Sequence, residues 1–272
     1  MADQSMTLPG SAPAAQSGST PWKTILLLGI IVAVILVPIV LFMRWEWIPT
    51  YAWRFVEGLG RTTFLLVFSC VVGLALAIPI GLAQVAGPRI FAWPATAFCT
   101  FIRGTPLLVQ LWLLYYGVGS LFPLVPWIRD SFMWPVLREA WPYALLAFTL
   151  SYAGYEGEIM RGGFLSVPKG ELEAARACGM SPFTLLRRVW LPRALHQVLP
   201  TLAGETVSQL KSTPLAATIT ILDVFGIATK VRQDTYVIYE PLLLIALIYA
   251  TLTGVIVLFF RWLESRVPIK RG

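Results

Sequence analysis

Long uncharged apolar runs alternate with short polar stretches along this chain. A helix that crosses a bilayer needs about 20 mostly apolar residues. Five runs meet that length or come near it: 24–43, 62–88, 104–128, 140–155 and 241–260. A sixth, 194–222, carries Glu205 and Lys211 but ends in an apolar stretch, and it is read as a span too. The pattern therefore predicts an all-α integral membrane protein with about six spans. The run at 24–43 is too long for a signal-peptide core of roughly 7–15 residues. Arg44-Trp45-Glu46-Trp47 follows it, rather than small residues. It is read as a retained helix over 23–44, preceded by a disordered tail over 1–22 that is rich in Ala, Ser, Pro and Gln.

Composition agrees. The chain is 57% hydrophobic and 13% charged, against about 25% charged in soluble domains. Its net charge of +7 would suggest nucleic acid in a soluble protein. Here the basic residues sit at the ends of apolar runs, as membrane topology requires, and no nucleic-acid partner is implied. Six spans put both termini on one side. With the termini in the cytoplasm, 13 Lys and Arg fall in inside segments and seven in outside ones, leaving Lys211 within a span. The excess favours cytoplasmic termini in a multi-pass cytoplasmic (inner) membrane protein. Trp45, Trp47, Trp53, Trp127, Trp134 and Trp141 fall near the outer helix ends, where an apolar ring with a wet N–H is favoured. Cys70, Cys99 and Cys178 form no CxxC pair and read as buried hydrophobes or a loop thiol, and no metal cluster is expected.

The polar segment 166–192 has its own grammar. Ser166-Val167-Pro168 reads as a helix start. Glu171 and Glu173 fall in the first turns, with Lys169–Glu173 and Glu173–Arg176 as side-chain pairs. Leu172, Ala174 and Ala175 leave one slim apolar face. Gly179 suits a left-handed position past the helix end. Ser181-Pro182 starts a second helix with Phe183, Leu186 and Trp190 as its stripe, and Leu191-Pro192 is read as its end. The result is two short helices hinged at Gly179, either an ordinary connector or an element that plugs into a partner.

The spacing Glu173-Ala174-Ala175, three residues, Gly179, nine residues, Val189-Trp190-Leu191-Pro192 resembles the coupling loop of ABC importer permeases. Phe101-Ile102-Arg103-Gly104-Thr105-Pro106-Leu107-Leu108-Val109-Gln110, the segment Tyr155 to Gly163, and Leu210-Lys211-Ser212-Thr213-Pro214-Leu215 are similar to the polar amino acid group of those permeases. Gly157 stands where alanine or threonine is more familiar. The resemblance covers 57–266 and implies a five-helix type I importer core, to which 23–44 adds a helix. It further implies a second permease subunit, as homodimer or heterodimer, two ATPase subunits docked on the loop, and an extracytoplasmic amino-acid-binding protein. Glu173, Ala174, Ala175 and Gly179 would be the coupling positions. The chain has no G-x-x-x-x-G-K-[ST]. It is therefore read as no enzyme and as holding no cofactor, with ATP and Mg belonging to the partner ATPase.

Within the spans, Glu205 and Lys211 are costly, at roughly 2.5–3.5 kcal/mol each at a helix centre. They lie six residues apart, about 600° of rotation, on separate faces. Glu205 either faces a translocation path and attracts a substrate ammonium or guanidinium, or hydrogen-bonds within the bundle. A carboxylate at this place occurs in the family's amino-acid-translocating members. Lys211 snorkels, pairs with another subunit or meets substrate. Gln110, Ser212 and Thr213 line the path or hold helices together. Arg103 is either an inner-face anchor or a support for a cytoplasmic gate. The competing reading is an ion-coupled secondary amino acid transporter with Glu205 as its coupling site, which leaves the cytoplasmic loop unexplained.

Overall fold

The computed structural model describes residues 43–266 and, before them, positions 22, 25–27, 29, 30, 33, 34 and 37. The expected tail, Trp22 apart, lies outside the described residues, as does most of the expected first span. The chain divides into two compact units, 1–45 and 46–272. The second holds everything that follows, and its described residues form no strand.

Proline and glycine set its helix boundaries. Helix α1, Ile48–Ala86, opens with Pro49 in its first turn, where a missing N–H costs nothing. It runs for 39 residues, about 58 Å, and so begins 14 residues before the expected run at 62. α2, Arg89–Gly104, is an element that the apolar runs do not reveal. It stops at Thr105, which Pro106 forces into an extended conformation (φ −117°, ψ 138°). α3, Leu107–Leu124, follows at once. Short helical turns at Pro126–Arg129 and Trp134–Leu137 then lead to α4, Trp141–Ser166.

α4 is the axis of the bundle. Ala144, Ala147, Ser151, Gly154 and Gly157 are among its buried positions. Small residues let backbones approach where apolar burial gives helices no advantage over lipid. A Cβ on Gly81 would lie 2.8 Å from the Arg161 backbone nitrogen, so α1 and α4 touch almost backbone to backbone. Ile102 of α2 fits over Gly154 and Cys99 over Gly157. Farther along, Leu111 of α3 packs in one cluster with Ala144 and Phe148, and Tyr115 meets the Tyr143 ring at 5.6 Å. α2 and α3 thus climb α4 in one direction, antiparallel to it, as a single path interrupted at Thr105-Pro106. Thr105 Oγ1 donates to Phe101 O at 2.9 Å, and Gln110 serves two more carbonyls at the break. Gln110 Nε2 donates to Ile102 O at 2.9 Å, Thr105 O at 3.1 Å and Thr105 Oγ1 at 2.7 Å.

After α5, Lys169–Ala177, comes α6, Pro182–Ile219, which also runs antiparallel to α4. Ala194 and Val198 cover Gly163, while Gln209 Nε2 donates to Phe148 O at 3.0 Å and to Ser69 Oγ at 3.2 Å. The last turns of α6 tighten into a 3₁₀ helix, Thr213–Ile219, which ends at Thr220 in the left-handed region (φ 74°). α7, Val224–Thr235, leaves at 51° to α6. Asp223 caps it, with Oδ1 accepting from Gly226 N at 2.8 Å. α7 packs on the early turns of α1, where Val224 N donates to Thr62 Oγ1 at 3.1 Å. α8, Tyr239–Arg266, returns along the bundle and packs near Thr213 through Tyr249.

Among the described residues, α1, α3 and α8 are long and apolar enough to cross a bilayer, and the bent pair α6–α7 passes as a fourth. α4 does not pass, although it is central. Its residues meet protein rather than lipid, and Glu156, Glu158 and Arg161 lie on its final turns.

Candidate functional site

Two places in this bundle gather chemistry. The first is the hairpin of α5 and the start of α6. α5 ends in a Schellman arrangement: Met180 N donates to Ala175 O at 3.2 Å and Gly179 N to Arg176 O at 2.9 Å. This needs a left-handed residue between the two helices, and Gly179 has φ 78°. Ser181 Oγ accepts from Thr184 N at 3.3 Å, capping the next helix. Two expectations need correction. α5 is preceded by Pro168 as its cap position, while Ser166 closes α4 by donating to Gly163 O at 2.8 Å. The second helix does not end at Leu191-Pro192. A wide π turn, Leu186–Trp190, with Leu191 N bonded to Leu186 O, carries the chain straight into the rest of α6. The wider turn relieves the clash between a proline ring and the carbonyl four residues back, so Pro192 sits in an early helical turn without stopping it.

The hairpin is fastened on one side only. Leu172, Ala175 and Leu185 are buried against Phe164, Ala194 and Val198. Trp190 Nε1 donates to Phe164 O at 2.9 Å, and the two rings meet at 5.4 Å. Arg193 Nε lies 3.1 Å from Glu171 Oε2. That ion pair ties α5 to α6. Among the described residues neither Lys169–Glu173 nor Glu173–Arg176 comes within ion-pair distance. On the other side, Glu173, Ala174, Gly179, Phe183, Arg187 and Arg188 are exposed. Phe183 is 71% exposed, a large apolar side chain on the same free side as Arg187 and Arg188. The slim face therefore consists of Leu172 and Ala175, while Ala174 points outward with Glu173.

The second place is a cavity of about 520 Å³ at the Thr105-Pro106 break. Its walls include Arg103, Ser151, Tyr152, Tyr155, Glu205 and Ser208, with Gln209 and Ser212 beside them. Three physical causes place them here. The α2–α3 break opens space between two helix ends. Ser151, a small residue of α4, takes up little of that space. The 3.6-residue period of α6 puts Glu205, Ser208, Gln209 and Ser212 on one face. Arg103 lies over the Tyr155 ring, Cζ to centroid 6.0 Å. Arg103 and Glu205 share the cavity, yet no ion pair within 4.0 Å joins them among the described residues. No group of His, Cys, Asp and Glu that could hold a metal ion is present among the described residues.

The sequence candidates separate on this map. Glu205, Ser212 and Arg103 line the cavity. Gln110 is buried and spends its amide on the break. Thr213 is buried, bonded to Leu210 O at 2.8 Å and 3.1 Å from the Tyr249 hydroxyl. Lys211 is exposed on another face of α6, in a shallow apolar hollow with Pro214, Phe225 and Tyr249. Sequence reasoning passed over Glu156. It lies on α4, fully buried, and neither carboxyl oxygen meets a hydrogen-bond donor. The signal was present, since the uncharged run at 140–155 stops at this residue. The helix, however, continues to Ser166.

Residues 69–268 match the family described as the binding-protein-dependent transport system inner membrane component. The octopine transport system permease protein of Rhizobium meliloti is 41% identical over 220 residues, 79% of this chain and 88% of that protein. The histidine/lysine/arginine/ornithine transport system permease protein of Escherichia coli K12 is 36% identical over 217 residues, 80% of this chain and 90% of that one. A crystal structure of an amino acid ABC transporter superposes with a TM-score of 0.69 at 28% identity, covering 83% of this chain and 99% of the other. A methionine ABC transporter shares the fold, with a TM-score of 0.61 at 17% identity. A multi-pass apolar bundle, a polar cavity at a helix break and a capped hairpin with one free face thus sit in a chain that belongs to the binding-protein-dependent transport system inner membrane components, the permease subunits of ABC transporters.

Proposed function

We propose that this chain forms the translocation path of an ATP-driven importer for polar amino acids, basic ones included. Its termini lie in the cytoplasm, and its 166–192 loop receives the stroke of a partner ATPase that binds ATP and Mg. Two permease subunits pair, two ATPase subunits dock, and an extracytoplasmic binding protein delivers the cargo. The relatives that carry octopine, and histidine, lysine, arginine or ornithine, support the cargo class. The free face of the hairpin, with Glu173, Ala174 and Phe183, supports the docking side.

The observation that carries the reading is the cavity with one carboxylate and one guanidinium that do not pair with each other. An amino acid is a zwitterion. Arg103 offers its planar fork to the α-carboxylate, and Glu205 faces the α-ammonium. Ser208 and Ser212 add hydroxyls along the same helix face. Both charges act on the head group that all amino acids share. Glu205→Gln is therefore expected to cut uptake of arginine and of glutamine alike, by roughly tenfold, the order set by losing one charged contact. Uptake is measured in vesicles holding the complete transporter. Unchanged uptake of both amino acids would remove Glu205 from the path.

A further inference from the structure

Glu156 is not among the residues that line the cavity. It lies one helical turn from Tyr152, a wall of the cavity, and shares a face of α4 with it. Its side chain is 0% exposed, and neither oxygen has a hydrogen-bond partner. A buried carboxyl without donors is disfavoured, and isosteric glutamine or an apolar residue would pack there at less cost. An ionisable group kept inside a membrane bundle marks a path or a relay by default. The groups close enough to act on it are Tyr152 on its own helix, Cys70 on α1 and Glu205 on α6. None of these is a cation.

Tyr152 is a wall of the cavity one turn before Glu156; its ring packs on Gly73 of α1, and its hydroxyl reaches α6. Thr206 Oγ1 donates to Leu202 O at 2.8 Å, so the Tyr152 hydroxyl gives its proton to Thr206, 2.9 Å away. The hydroxyl is thus tied to α6 by this hydrogen bond.

We propose that Glu156 is a second cargo-binding carboxylate, which takes the guanidinium or ammonium on the side chain of a cationic amino acid while Arg103 and Glu205 hold the head group. The proposal rests on the zwitterion reading of the cavity, and the two fail differently. The experiment measures equilibrium binding of radiolabelled arginine and citrulline to the purified permease–ATPase complex. Citrulline has nearly the shape of arginine with a neutral ureido group. Glu156→Gln is expected to weaken arginine roughly tenfold or more and to leave citrulline within about twofold, the loss of one charged contact. Glu156→Asp, which keeps the charge and shortens the reach, falls between wild type and Gln. Glu205→Gln weakens both ligands alike. Equal effects of Glu156→Gln on the two ligands, or none on either, overturn the role of Glu156. An unaltered affinity for both in Glu205→Gln overturns the reading of the cavity itself. A Glu156→Gln chain that no longer assembles while Glu156→Asp binds arginine no better than citrulline also counts against the proposal, because a carboxylate is then present without reading charge.

Discussion

Single side chains decide where this bundle is open and where it is closed. Gln110 is the plainest case. Its amide stands in for the N–H groups that a continuous helix would have aimed at Ile102 O and Thr105 O. Replacing it with leucine keeps the volume and removes the donor from one buried carbonyl, Ile102 O, and one part-buried carbonyl, Thr105 O. Gln110→Leu is expected to destabilise the chain by about 2 kcal/mol, seen as a lower denaturation midpoint in detergent. An unchanged midpoint would mean that the break does not depend on this residue. Sequence could name Gln110 and Glu205 as polar groups among apolar ones, but it could not say that one is consumed by structure while the other faces space. That difference follows from the direction of a helix face relative to a break that lies 100 residues away in the chain. Glu156 was harder still. It terminates an uncharged run, so it reads as the edge of a span, although the helix carries it into the centre of the protein.

Helices and their junctions are where local chemistry was most legible. The left-handed Gly179 and the Ser181 cap follow from residue type and spacing, and both occur in the structure. The end of the second hairpin helix did not follow, because a π turn makes room for Pro192 and the sequence carries no sign of it. The consequence is mechanical. α5 is hinged through Gly179 to a helix that continues unbroken from the hairpin to Ser212 beside the cavity. The exposed face of the hairpin and Glu205 are thus joined by one continuous helix, which includes the π turn and Pro200. Proline at 179 cannot adopt φ 78° and has no N–H for Arg176 O. Gly179→Pro is expected to abolish uptake while the protein still inserts and is recovered from membranes in normal amount. Gly179→Ala, whose Cβ meets open space, bears only the left-handed strain of about 1–2 kcal/mol and keeps part of the activity. Normal uptake by the proline variant would contradict a coupling role for the hairpin.

At the scale of the whole molecule, the division of labour is the central claim. The apolar runs revealed a membrane bundle, but not that α2 and α3 form one interrupted path. Their joint direction is set by contacts with α4 rather than by hydropathy. The described residues hold a cavity, a continuous helix and an exposed hairpin face, and in the proposed reading the remaining chemistry belongs to other subunits. The direct measurement is uptake of radiolabelled arginine by proteoliposomes containing the permease with its ATPase and binding protein, with ATP enclosed on the ATPase side. The account predicts uptake that requires hydrolysable ATP and persists when ionophores collapse every ion gradient. Uptake that ignores ATP and follows a proton or sodium gradient would contradict it and make Glu205 the coupling site of a secondary transporter.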